Sequence, residues 1–133
     1  MDLLALRDHA IAALMHLDVD ITDGEPETGL DGRIRRTVIV SVTPGTTTGR
    51  RASGGSVNVV GYVNAMVVTA SRDSCLWLSE QVQRSLADLP LERGSGALTD
   101  ESYDGEPLPE PNTSPARWST ALAFRATRKR HLT

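Results

Sequence analysis

Two valine-rich runs, RIRRTVIVSVT over residues 33–43 and VNVVGYVNAMVVTA over residues 57–70, constrain this chain more than any other feature. Apolar side chains at every second position demand extended backbone. In the first run Ile34, Val38, Val40 and Val42 face one way, and Arg33, Arg35, Thr37, Ser41 and Thr43 face the other, which is the pattern of a strand with one wet face. The second run is apolar on both faces: Val57, Val59, Val63 and Val67 against Val60, Tyr62, Met66 and Val68. A strand without a polar face is central, or meets a partner on its second side. Between the runs lies TPGTTTGRRASGGS, residues 43–56, which holds nothing suited to a core. The simplest geometry is an antiparallel hairpin with a long tip.

A further strand is expected in ARWSTALAFRATRKR near the C-terminus. Trp118, Thr120, Leu122 and Phe124 share one of its faces, and Arg117, Ser119, Ala121, Ala123 and Arg125 share the other. Two segments change to steps of three and four. Residues 2–17 align Leu3, Leu6, Ala10, Leu14 and Leu17, with Asp2 placed to cap the first amides. Residues 72–89 align Cys75, Leu78, Val82, Leu86 and Leu89, with Ser71 or Asp73 at the start and Pro90 as a stop. After the first helix, DVDITDGEPETGLDG predicts a brief edge strand and an acidic loop. From 92 to 115 the Gly-, Pro- and acid-rich chain predicts an irregular excursion, with a short strand around 97–102.

The order implies one domain over residues 1–133 of the α+β class, with flexible loops at about 43–56 and 92–115. The expected architecture is a two-layer sandwich: a mainly antiparallel sheet of about four strands, two helices packed on one face, and a long extended β-hairpin loop. A chain of 133 residues buries roughly two-thirds of its unfolded surface, enough for one core. Aromatics make up only 4%, so that core is built of Val, Leu, Ile and Ala, with Trp77, Trp118 and Phe124 as the large fillers. A thin layered domain suits such side chains better than a deep pocket.

Composition also narrows function. A net charge of −3 argues against a dedicated nucleic-acid binder. Cys75 is the only cysteine, which excludes an intrachain disulfide and a thiolate zinc cluster and suggests a reducing compartment. The apolar start LLAL is cut short by Arg7, Asp8 and His9, well below the roughly 20 residues of a membrane span, so a soluble, unsecreted chain is expected.

Tests for chemistry return little. Aligning an EF-hand on Asp18 puts Asp23 where glycine is required and Gly29 where the closing glutamate belongs. Asp100, Glu101, Asp104 and Glu106 sit in a proline-rich segment and read as a solvated acidic loop. His9 and His16 lie two helical turns apart, too far to share a metal without further ligands. Cys75 falls on an apolar helix stripe, where a thiol serves as core. GTTTGRR lacks the Lys-Ser/Thr ending of a phosphate loop, and no nucleophile elbow or dinucleotide fingerprint is present. No enzyme, no cofactor and no metal is therefore expected.

Arg50 and Arg51 in the long loop keep three readings open. Charges at an exposed tip discourage edge pairing. They could instead contact a phosphate backbone together with Arg125, Arg128, Lys129 and Arg130, or dock on an acidic protein surface with ordering on assembly.

The whole sequence of features, LLALRDHAIAAL, a hairpin with a Gly-rich tip, CLWLSEQVQRSLADLPL, the acidic DGEPLPEPN and the closing RWSTALAFRATRK, resembles the tail terminator proteins of long-tailed bacteriophages. The resemblance spans nearly the full chain and rests on architecture, with no invariant motif. It implies a virion structural protein of the tail and neck, resident in the host cytoplasm before assembly. Such a protein forms a homo-oligomeric ring, typically a hexamer, on the tail tube protein, stops tube growth and joins the head–tail connector. Arg50 and Arg51 would then meet an acidic partner or face DNA in the ring lumen, and Tyr62, Met66 and Val68 would form a subunit contact. The alternatives are a head-completion or neck connector protein and a small dimeric α+β binding domain. No membrane contact is expected in any of these.

Overall fold

The computed structural model describes residues 2–45, 57–91, 96–102 and 106–129. Helix α1, Leu3–Leu14, starts where the Asp2 carboxylate accepts a hydrogen bond from the Ala5 amide at 2.7 Å. Helix α2, Arg72–Leu86, starts where Ser71 Oγ accepts from the Ser74 amide. It ends before the expected position: Ala87 is extended and Asp88 adopts a positive φ of 61°, which turns the chain back. The strands are β1 Asp20–Thr22, β2 Thr37–Pro44, β3 Val57–Thr69, β4 Thr99–Asp100, β5 Leu108–Pro109 and β6 Trp118–Lys129.

These strands form one sheet in the order β1-β2-β3-β6-β4, with β5 also paired to β6. The α+β expectation holds, with two helices over a mostly antiparallel sheet, but the described residues form six strands, not about four. The short strands make the difference. Strand β1 pairs parallel to β2, with Ile21 opposite Val38, because the connection over residues 23–36 is long enough to return the chain to its starting end. Strand β4 falls within the short strand expected around 97–102, β5 arises in the excursion expected to be irregular, and both add to the outer side of β6. Two-residue strands carry no readable periodicity; the free backbone groups of β6 induce them.

Both helices pack on one face of the sheet. Leu6, Ala10 and Leu14 of α1, and Cys75, Leu78, Val82 and Leu86 of α2, are buried against Val38, Val40, Val63, Ala65, Val67, Leu122, Phe124 and Ala126. The period-two and period-3.6 patterns thus meet in one core. Leu98 joins it, held by reciprocal backbone hydrogen bonds in which Asp88 N–H donates to Leu98 C=O and Leu98 N–H donates to Leu89 C=O. Ile34, expected on the first long strand, instead lies in the connection before it and is bridged to Thr28.

Gly61 explains how α1 and the sheet approach. A Cβ there would lie 2.6 Å from Leu3 Cδ2 and 2.7 Å from the Thr43 carbonyl oxygen. It also follows a register shift between Val59 and Gly61 against β6, a bulge site where glycine is at home.

Cys75 is buried, and burial pushes its thiol pKa above the ordinary value. A thiol-specific reagent at neutral pH is therefore expected to leave native protein unlabelled and to label it stoichiometrically in denaturant. Rapid labelling of the native chain would contradict this packing of α2.

Candidate assembly surfaces

The sheet has a second face on which no helix packs among the described residues. Register across β2, β3 and β6 places Ile39, Met66 and Ala121 in one row, Ser41, Asn64 and Ala123 in the next, and Thr43, Tyr62 and Arg125 in a third. Alternation sends these side chains away from the core. Ile39, Met66 and Ala121 line a shallow groove of about 400 Å³, with Ser41, Asn64 and Ser102 at its margin. Polar pairs rim it: Asn64 Nδ2 donates to Thr43 Oγ1 at 3.2 Å, and Arg125 meets Glu101 at 2.9 Å. Aliphatic groups and a thioether at the centre supply no acid or base to move protons. They can exclude water against another apolar surface.

Of the residues singled out in the sequence, Met66 is 42% exposed on this face and Tyr62 is half-buried two rows further along. Val68 lies on the same side of β3 but is only 2% exposed, so its side chain offers no surface. It sits with buried Thr37 at the end of the sheet, near the 23–36 connection whose Glu25 reaches Arg117 beside β6. Arg50 and Arg51 lie outside the described residues.

A second surface was not legible as such in the sequence. The 23–36 connection and the start of α2 enclose a cleft of about 590 Å³ lined by Leu30, Arg33, Arg35, Arg36, Ser71 and Ser74. Arg35 grips Asp20 with two hydrogen bonds, Nε to Oδ2 at 2.7 Å and Nη2 to Oδ1 at 3.0 Å. Donation from Arg35 holds the Asp20 carboxyl below its ordinary pKa, outweighing desolvation, and the Arg35 charge acts in the same direction. Arg36 stands 5.2 Å from the centroid of Trp77. The only signal in the sequence was the RIRR cluster, which period-two logic assigned to the wet face of a strand.

The other titratable groups disperse. Asp100 accepts from the Ser102 amide and Gln83, Glu101 pairs with Arg125, and Glu106 pairs with Arg72; Asp104 is outside the described residues. The acids therefore do not converge, and among the described residues no group of three or more His, Cys, Asp or Glu is placed to hold a metal. His9 Nε2 lies 2.8 Å from the Pro90 carbonyl, and His16 is within 3.4 Å of Ser85, so both tether α1 to the end of α2. No described helix is long and apolar enough to cross a membrane.

No protein-family model matches the chain, and no curated protein matches it by sequence. Its fold does match a solved structure. A chain in the virion of a native gene transfer agent particle superposes with a TM-score of 0.62 at 17% identity, covering 94% of this chain and 95% of that one.

Proposed function

We propose, from a fold shared end to end with a chain of a virion particle, that this protein is a structural subunit of a phage-like particle and acts by assembly. The observation that carries this is the reciprocal coverage, 94% and 95%: the match takes in nearly the whole of both chains. The open sheet face supports it: Met66, Ile39 and Ala121 supply an apolar centre with a polar rim, the layout of a protein–protein interface.

The specific role we assign is tail termination. The subunit forms a ring on the last ring of the tail tube, stops polymerisation and presents the surface that joins the neck. Such a role needs no catalytic residue and suits a protein with no converging acid–base or metal cluster among its described residues. Tyr62 and Met66 contribute to the contact between subunits, and Arg50 and Arg51 meet an acidic neighbour or the DNA passage.

Tube length under polymerising conditions tests this. Wild-type protein added to polymerising tube protein is expected to give short tubes of narrow length distribution in negative-stain micrographs. The Arg50→Glu/Arg51→Glu variant is expected to give long, uncapped tubes while retaining the native circular dichroism spectrum. Unrestricted growth with wild-type protein present would remove the terminator role, and normal capping by the double variant would remove the role of the two arginines.

A further inference from the structure

The arginine cleft lies apart from the open sheet face and is built for a different kind of contact. In a chain of net charge −3 it gathers Arg33, Arg35 and Arg36; Asp31 is the carboxylate in its lining, and Asp20 engages Arg35 from beside it. Two of the three guanidinium groups are already oriented, Arg35 by Asp20 and Arg36 by Trp77. Orientation before docking spares rotamer entropy. Leu30 is fully exposed and Trp77 is 46% exposed, which adds apolar area beside the charges. Trp and Arg together are the pairing that dominates interface energetics. The fitting ligand is an extended peptide that carries carboxylates around an apolar side chain.

The chain itself displays such a peptide. Residues 106–110, EPLPE, flank Leu108 with two acids, and Leu108 is 64% exposed. Pairing of Leu108 with Ser119 and Pro109 with Trp118 holds the segment extended, and Pro107 is buried. Glu110 is engaged with Arg117. Glu106 pairs with Arg72 at 3.6 Å with both side chains largely exposed, an ion pair of little worth that can be exchanged. The cleft and the segment lie at the same end of the sheet, the cleft where β2 begins and β3 ends and the segment outside the start of β6.

We propose that the cleft of one copy receives segment 106–110 of a second copy, with Arg33 and Arg36 meeting Glu106 and Leu108 packing on Leu30 and Trp77. This rests on the self-assembling role proposed above and supplies its partner surface. The contact is head-to-tail: each copy offers its cleft to one neighbour and its segment to another, the arrangement that closes into a ring when the rotation permits. A nucleic-acid backbone fits the cleft less well, because Asp31 stands in its wall, its rim is apolar and the chain is acidic overall.

Full-length single-substitution variants test the contact under conditions where wild-type protein self-associates in sedimentation, alone or on tube protein. Oxidising a mixture of Arg33→Cys and Leu108→Cys is expected to give disulfide-linked dimers that neither variant forms alone; Cys75 is buried and does not compete. Arg33→Glu/Arg36→Glu is expected to weaken self-association by more than about tenfold, and adding Glu106→Arg is expected to recover it in part. Self-association of wild type without the mixed crosslink, or with unchanged affinity in the double variant, overturns the contact and leaves tail termination standing. Crosslinking and rescue with uncapped tubes uphold the contact and remove tail termination. Wild-type protein that stays monomeric even on tube protein overturns the contact. Loss of a salt-dependent DNA affinity in the double variant, with self-association intact, overturns it in favour of nucleic acid.

Discussion

Phe124→Ala is expected to lower stability by about 3–5 kcal/mol, the range for truncating a buried aromatic. Phe124 is the chain's single phenylalanine, is 0% exposed and is among the bulkiest fully buried side chains described. It lies opposite Val63 on β3 and belongs to the cluster that includes α1 and α2. Its neighbours are Val, Leu and Ala, short side chains that cannot reach across the void left behind. Against a total of about 5–15 kcal/mol for a typical domain, the loss is a large share. Urea unfolding followed by circular dichroism should show a lower midpoint at unchanged slope. Phe124→Leu, which refills most of the volume, is expected to cost less than about 1.5 kcal/mol. A loss below about 1 kcal/mol for alanine would show that the core is not organised around β6.

Met66→Glu is expected to abolish assembly while leaving the subunit folded. At 42% exposure, and with Ile39 and Ala121 as its row neighbours, the new carboxylate can reach water in the free chain. Stability should therefore change by less than about 1 kcal/mol. In the ring proposed above the same carboxylate would be buried against an apolar partner without a counter-charge, at a cost of about 3–5 kcal/mol. That corresponds to a loss of more than about 100-fold in association, measured as incorporation onto tube ends by pelleting. Met66→Leu should incorporate normally. A glutamate variant that incorporates like wild type would place this face on the outside of the particle and end its assignment to a subunit contact.

What the sequence determined by itself is what local periodicity encodes. Both helices, the three long strands and their core-facing residues are written in repeats of 3.6 and 2, because each element must present one apolar face whatever it packs against. Asp2 and Ser71 announce their helices for the same local reason: an orphan amide needs an oxygen within three residues. The doubly apolar pattern of β3 also foretold that its second face is unusual, and Met66 stands open there.

Only the tertiary structure decided the rest. Val68 and Met66 look alike in a period-two pattern, yet one is buried at the sheet end and the other exposed at its centre. Leu98 entered the core through backbone pairing with residues 88 and 89, and β5, which no pattern announced, exists because β6 offered it an edge. The arginine cleft needed three separate events: the parallel turn-back after β1, the Asp20–Arg35 pair and the approach of Trp77 to Arg36. Each of these depends on contacts between residues distant in the chain, whose energy is shared among partners and leaves no period in any one segment to read.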